Sequence, residues 1–219
     1  MTINGTVTKT FLSICLVVIS GYYSWINISI TNVLILPAIF VSLILAGLTI
    51  YKKHLSPITV PIYAVIQGIF LGAISYTFNS LYDGIVITAI SYTLSILFVM
   101  LTLYRTGIIK PTENFKLGLA AGTGGIALIY VANFVMSFFG TGLSIMDINN
   151  ASMYSIGFSL LVIVMASLNL VVDFDFIEEG SEKGAPKYME WFGAFGLLVT
   201  LIWLYLEILR LLAKLNSRK

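Results

Sequence analysis

An all-helical, polytopic membrane protein is what this chain predicts, and three observations carry that expectation. Of its 219 residues 58% are hydrophobic and only 10% are charged, against the roughly 25% charged residues of an average soluble domain. Apolar runs close to the ~20 residues that cross a ~30 Å hydrocarbon core follow one another along the sequence. No stretch between them is long enough for a separate soluble domain, so residues 1–219 read as a single transmembrane domain.

Runs bounded by charge, Pro, Asn and Gly place seven spans at about 10–28, 33–51, 58–79, 84–104, 116–139, 152–173 and 189–213. The first is preceded by MTINGTVTK and has no small-x-small cleavage site, which predicts a retained span rather than a signal peptide. Pro37 and Pro61 fall inside the second and third and are expected to kink or cap them, which neighbouring helices tolerate. The fifth carries Gly118 and Gly122, then Ala121 and Gly125, at the small-xxx-small spacing that lets helix backbones approach. Gln67, Asn133 and Asn169 are uncharged polar residues within spans, where an interhelical hydrogen bond is the ordinary role. No internal repeat is visible, so an inverted-repeat transporter is not supported.

Lys and Arg near span ends set the orientation. With seven spans, Lys9, Lys52, Lys53, Arg105, Lys110, Lys116, Lys183 and Lys187 lie on the N-terminal side, which should be cytoplasmic. Arg210, Lys214, Arg218 and Lys219 fall on the other side and break the rule. A last run that re-enters, with breaks at Gly193 and Gly196, would put all of them inside; a run this long is expected to cross instead.

Several chemistries are excluded. His54, in KKHLSP, is the only histidine, so metalloprotease helices, His-based intramembrane serine proteases and His-rich metal sites are out. The last span lacks the lysine a retinal pump needs between Trp191 and Ala213. DFDFIEEG is not an EF-hand loop, since Glu178 stands at its sixth position where Gly is required. There is no glycine-rich phosphate loop, and the net charge of +2 is too small for nucleic acid. Cys15 is alone, so no internal disulfide forms. The chain is therefore not expected to be an enzyme or to carry a cofactor.

What remains is acidic. A carboxylate within a span costs roughly 2.5 to 3.5 kcal/mol on insertion scales and should face protein or water. Asp173 ends the apolar run LNLVVDF, on one face with Asn169 and Ala166; Glu207 lies inside LIWLYLEILRLL, on one face with Gly193, Gly196 and Thr200. Asp173, Asp175, Glu178, Glu179, Glu182 and Glu190 crowd the connection between the last two spans. If the sixth helix continues past the membrane edge, Asp175, Glu178, Glu179 and Glu182 make one negative stripe. That stripe reads either as a solvated helix end or as a vestibule that attracts cations. For Glu207 two arrangements stay open: a local ion pair with Arg210, three residues on, or a meeting with Asp173 in which one carboxylate of the pair would hold a proton.

At these residues the chain resembles the Bax inhibitor-1 (transmembrane Bax inhibitor motif) family, in its bacterial YccA-like branch. The resemblance is clearest in VPIYAVIQGIFLGAIS and in LNLVVDFDFIEEGSEKGAPKYMEWFGAFGLLVTLIWLYLEILRLLAKL. It implies seven helices with the last surrounded by the others, and a calcium-permeable leak opened by pH through acids on the last two helices. By motif position these acids are Asp173 and Glu207, which would also touch calcium transiently as it passes. Glu207 stands in Leu206-Glu207-Ile208 where Leu-Asp-Phe is familiar. The family also implies a nearby basic partner, for which Arg210, Lys52 and Lys53 are the candidates, and a bacterial inner-membrane location. The linker between the acids is longer than the family pattern. If the last helix starts near Trp191, Glu207 lies roughly 24 Å along it, so either that helix begins with an interfacial segment or the pairing fails in this branch. Some bacterial relatives are associated with inhibiting a membrane-anchored AAA protease; that reading would use the N-terminal tail of about nine residues. A third reading has the buried acids only locking helices together.

Overall fold

A computed structural model describes residues 1–218. Eight α-helices follow one another, with no strand among the described residues: α1 (Ile3–Ile26), α2 (Ile28–Thr31), α3 (Ile35–Tyr51), α4 (Ser56–Leu81), α5 (Ile85–Arg105), α6 (Glu113–Ser137), α7 (Met153–Glu182) and α8 (Met189–Asn216). Six are long and apolar enough to cross a membrane: α1, α4 with the preceding turn Lys53–Leu55, α5, α6, α7 and α8. The remaining apolar helix, α3, has 17 residues, at the lower limit for a span.

The helices outrun the predicted spans where a cap or a polar continuation lies beyond the apolar window. α1 begins seven residues earlier than expected because Thr2 caps it, its hydroxyl accepting from the Gly5 amide at 3.0 Å. α7 continues nine residues past Asp173 and ends in a Schellman motif: the Ala185 amide donates to the Gly180 carbonyl, and Gly184 takes φ +62°. α8 is unbroken through Gly193 and Gly196, so those glycines are not the break points that a re-entrant last run requires. Pro37 lies in the first turn of α3, where its missing N–H is not needed, and α4 runs on through Pro61.

The chain divides into two compact units. One comprises Met1–Leu81 and Asp173–Val199, the other Tyr82–Val172 and Thr200–Lys219. In the first, α1 and α3 pack on α4. The buried positions of α1 are Thr6, Ser13, Ser20 and Ser24, while Phe11, Val18, Ile19 and Tyr22 are exposed. Small polar residues inside and large apolar ones outside reverse the soluble pattern and are what a lipid environment demands. Ser20 keeps its hydroxyl satisfied on the Leu16 carbonyl, and Ser24 donates across to Ile69 O at 2.8 Å. Opposite them Gly68 and Gly72 of α4 leave room for the α1 backbone.

In the second unit Gly122 of α6 lies against the Met165 methyl of α7, while Gly118 and Gly125 face open space. Asn169 of α7 donates to the Thr123 hydroxyl of α6 at 2.9 Å, the interhelical bond expected of it. The other two polar residues act locally: Gln67 donates to Tyr63 one turn back on α4, and Asn133 accepts from the Leu143 amide in the loop that follows α6. Of the six long helices α8 is the most buried, with 72% of its most apolar window inside.

Candidate functional site

Three ionisable residues of the second unit, Glu207, Arg210 and Lys214, share one face of α8 with Trp203. Trp203, Glu207, Arg210 and Lys214 recur at four, three and four residues, the spacing that keeps side chains in one stripe. Glu207 is 1% exposed. Its Oε2 accepts from the Tyr130 hydroxyl of α6 at 2.7 Å and from Arg210 Nη1 at 2.5 Å. The local ion pair is thus the arrangement that forms. Tyr130 is the hub of the cluster: its oxygen also accepts from Arg210 Nη1 at 3.3 Å, and its ring lies 5.4 Å from the Arg210 guanidinium, a cation–π contact. Among the described residues no hydrogen-bond donor meets the buried Glu207 Oε1, an arrangement that costs free energy in an apolar interior.

One turn beyond, Lys214 is fully buried. Its ammonium donates to the Ile145 carbonyl at 2.9 Å, the Ser155 carbonyl at 3.1 Å and the Ser159 hydroxyl at 3.0 Å. All three of its protons are thereby used.

Asp173, the other predicted acid, is half-buried in the first unit. The α8 position beside it is Gly196, where an added Cβ would stand 3.0 Å from Asp173 Oδ1. Asp175, Glu178, Glu179 and Glu182 share the helical continuation of α7, with Glu178, Glu179 and Glu182 exposed and Glu179 ion-paired to Lys183. Glu190 leaves this acidic group. It is 3% exposed and accepts from Lys9 Nζ at 2.7 Å, from the Thr2 amide at 3.1 Å and from the Thr2 hydroxyl at 3.0 Å. It therefore ties the start of α8 to the start of α1.

Of the basic candidates, Arg210 is the one beside Glu207. Lys53 places its ammonium 5.1 Å from the centre of the Phe192 ring, and Lys52 is exposed at the end of α3. Among the described residues no three His, Cys, Asp or Glu side chains converge to hold a metal ion. Sequence reasoning missed Tyr130 and Lys214. Tyr130 is one aromatic among many in an apolar run, and Lys214 looks like a solvated C-terminal cation.

Long apolar helices with large exposed apolar side chains, small polar interiors and charges buried on the last helix define a multi-pass membrane protein. The chain belongs to the Bax inhibitor-1 family: the family model described as Bax inhibitor 1 like matches residues 1–217. No curated protein and no solved structure matches it.

Proposed function

We propose that this protein is a pH-sensitive, calcium-permeable leak of the Bax inhibitor-1 type, with Glu207 and Asp173 as the gating acids. The observation that carries the reading is the state of Glu207: nearly inaccessible, with Oε2 shared by Arg210 and Tyr130 and Oε1 without a donor among the described residues. A proton taken up on this carboxyl removes the charge that holds the guanidinium. Arg210 and Tyr130 hold this carboxyl and Lys214 lies one turn on along α8, so the lock would loosen and α6 would shift against α8. Asp173 beside Gly196 is the second acid in this reading, and its small neighbour leaves its oxygen close to the α8 backbone. The acidic continuation of α7, Asp175 to Glu182, would concentrate cations at the mouth. The leak works without a cofactor or catalytic step, in a bacterial inner membrane, with the N-terminus in the cytoplasm.

Calcium flux into proteoliposomes between about pH 6 and 8 tests this. Wild-type flux should change with pH, and Asp173→Asn with Glu207→Gln should flatten the profile. A double variant that folds normally and keeps the wild-type profile would remove both acids from the gate. Regulation of a membrane-anchored protease is less well supported. Residues 3–8 form the first turns of α1 and Thr2 is tied to Glu190, so the stretch a protease would pull on is folded and anchored.

A further inference from the structure

Lys214 is held in an unusual way for a buried cation. Among the described residues no carboxylate lies within ion-pair distance of it; its three partners are two backbone carbonyls and one hydroxyl. We propose that Ile145 O, Ser155 O and Ser159 Oγ form a binding site for a monovalent, ammonium-like cation, which Lys214 fills as a tethered ligand.

Two features support a site rather than a chance contact. First, the cage is held by bonds that do not involve Lys214. The Ser155 hydroxyl donates to Ile145 O at 3.0 Å, Asn150 Nδ2 donates to the carbonyl and hydroxyl of Ser144 at 2.9 and 2.8 Å, and Leu143 is pinned by Asn133. The turn Ser144–Met146 and the start of α7 are therefore tied together by bonds of their own, independent of the cation. Ser155 and Ser159 are both fully buried, so bulk water does not reach the oxygens they contribute. Second, the chemistry of the cage selects its occupant. Three neutral oxygens at 2.9 to 3.1 Å suit N–H donors or a large, weakly hydrated monovalent ion. Calcium prefers 6 to 8 oxygens at 2.3 to 2.6 Å, usually with carboxylates among them. The site is thus distinct in kind from a calcium pathway, and the inference does not rest on the leak reading.

A consequence for the fold is that the end of α8 is fastened to the α6–α7 loop by a cation at the end of a flexible stem. A free cation of the same class should replace it when the stem is removed, because anything that binds only the folded state stabilises it by mass action.

Thermal unfolding of the detergent-solubilised full chain provides the test. Lys214→Ala removes the atoms from Cγ to Nζ, which propylammonium replaces in length and charge. The variant should melt below the wild type, and millimolar propylammonium should restore about half or more of the lost Tm. Isosteric 1-propanol should not do so, potassium should restore part of the loss, calcium should restore none, and the wild type, whose site is filled, should not respond to the amine. Equal effects of propylammonium and 1-propanol, or no restoration by the amine, would overturn the proposal, since cavity filling or simple anchoring would then account for Lys214. If Lys214→Ala does not fold, Ser159 decides: Ser159→Ala should lower Tm and Ser159→Thr, which keeps the oxygen, should hold it. Ser159→Ala melting with the wild type would sink the cage.

Discussion

Arg210→Met is the most informative single perturbation of the α8 cluster. It removes the 2.5 Å donor to Glu207 Oε2 and leaves a carboxylate that is 1% exposed with one short hydrogen bond, from Tyr130, and a second oxygen that has no partner among the described residues. Breaking a buried pair in this way costs about 3–5 kcal/mol in soluble proteins. Two effects reduce that here: the Arg210 side chain is 26% exposed and partly solvated, and a pair three residues apart on one helix persists in part when the helices separate without unwinding. The expected loss is about 2–4 kcal/mol. Adding Glu207→Gln should return much of it, because the uncompensated charge disappears and the amide can still accept from Tyr130. Reversible unfolding in mixed micelles with increasing denaturing detergent, run as a double-mutant cycle, measures both quantities. The reasoning fails if Arg210→Met lies within about 0.5 kcal/mol of wild type, or if the double variant is less stable than the single one.

The α1–α4 contact makes a second prediction. A Cβ at Gly68 would stand 2.5 Å from Val17 O and collide with the Ser20 hydroxyl, and one at Gly72 would stand 2.8 Å from Ser24 Cβ. Each Gly→Ala change should therefore cost about 1–3 kcal/mol by overpacking, read by the same unfolding assay, whereas Gly47→Ala, which meets nothing within 4 Å, should be tolerated. Glu190→Gln should weaken the tie between the starts of α1 and α8, and amide hydrogen exchange at residues 3–9 should rise while the Tyr130 region stays protected. Gly184→Ala forces a side chain into φ +62° and should destabilise the Schellman end of α7 by about 1 kcal/mol, visible as faster exchange near residues 180–185.

Much of the architecture is legible in the sequence because a bilayer constrains it so strongly. Every backbone group in lipid must be satisfied within its own helix, so apolar run length locates six of the seven expected spans as long apolar helices and the run at 33–51 as the shorter α3, and Asp173 and Glu207 stand out as expensive exceptions. Helix ends are less legible. α1 and α7 outrun their apolar windows because caps and a glycine turn, rather than hydropathy, stop a helix, and the Thr2 hydroxyl that caps α1 is also a partner of Glu190, 188 positions away. The candidate site was half visible. Glu207 and Arg210 are three residues apart, so helical periodicity alone brings them together.

What periodicity cannot supply is the partner on another helix. Tyr130 reaches Glu207 across 77 positions, Lys214 reaches Ser155 across 59, and the place beside Asp173 goes to Gly196. In a lipid-embedded chain apolar burial does not discriminate among helix faces, since lipid tails are as apolar as Leu. Packing of small residues and the pairing of a few polar atoms make that choice, and they depend on which backbones come close. Composition and run length therefore determined by themselves that this chain is a bundle of membrane helices with ionisable residues on the last. Only the tertiary structure decided which oxygens and protons those residues would share.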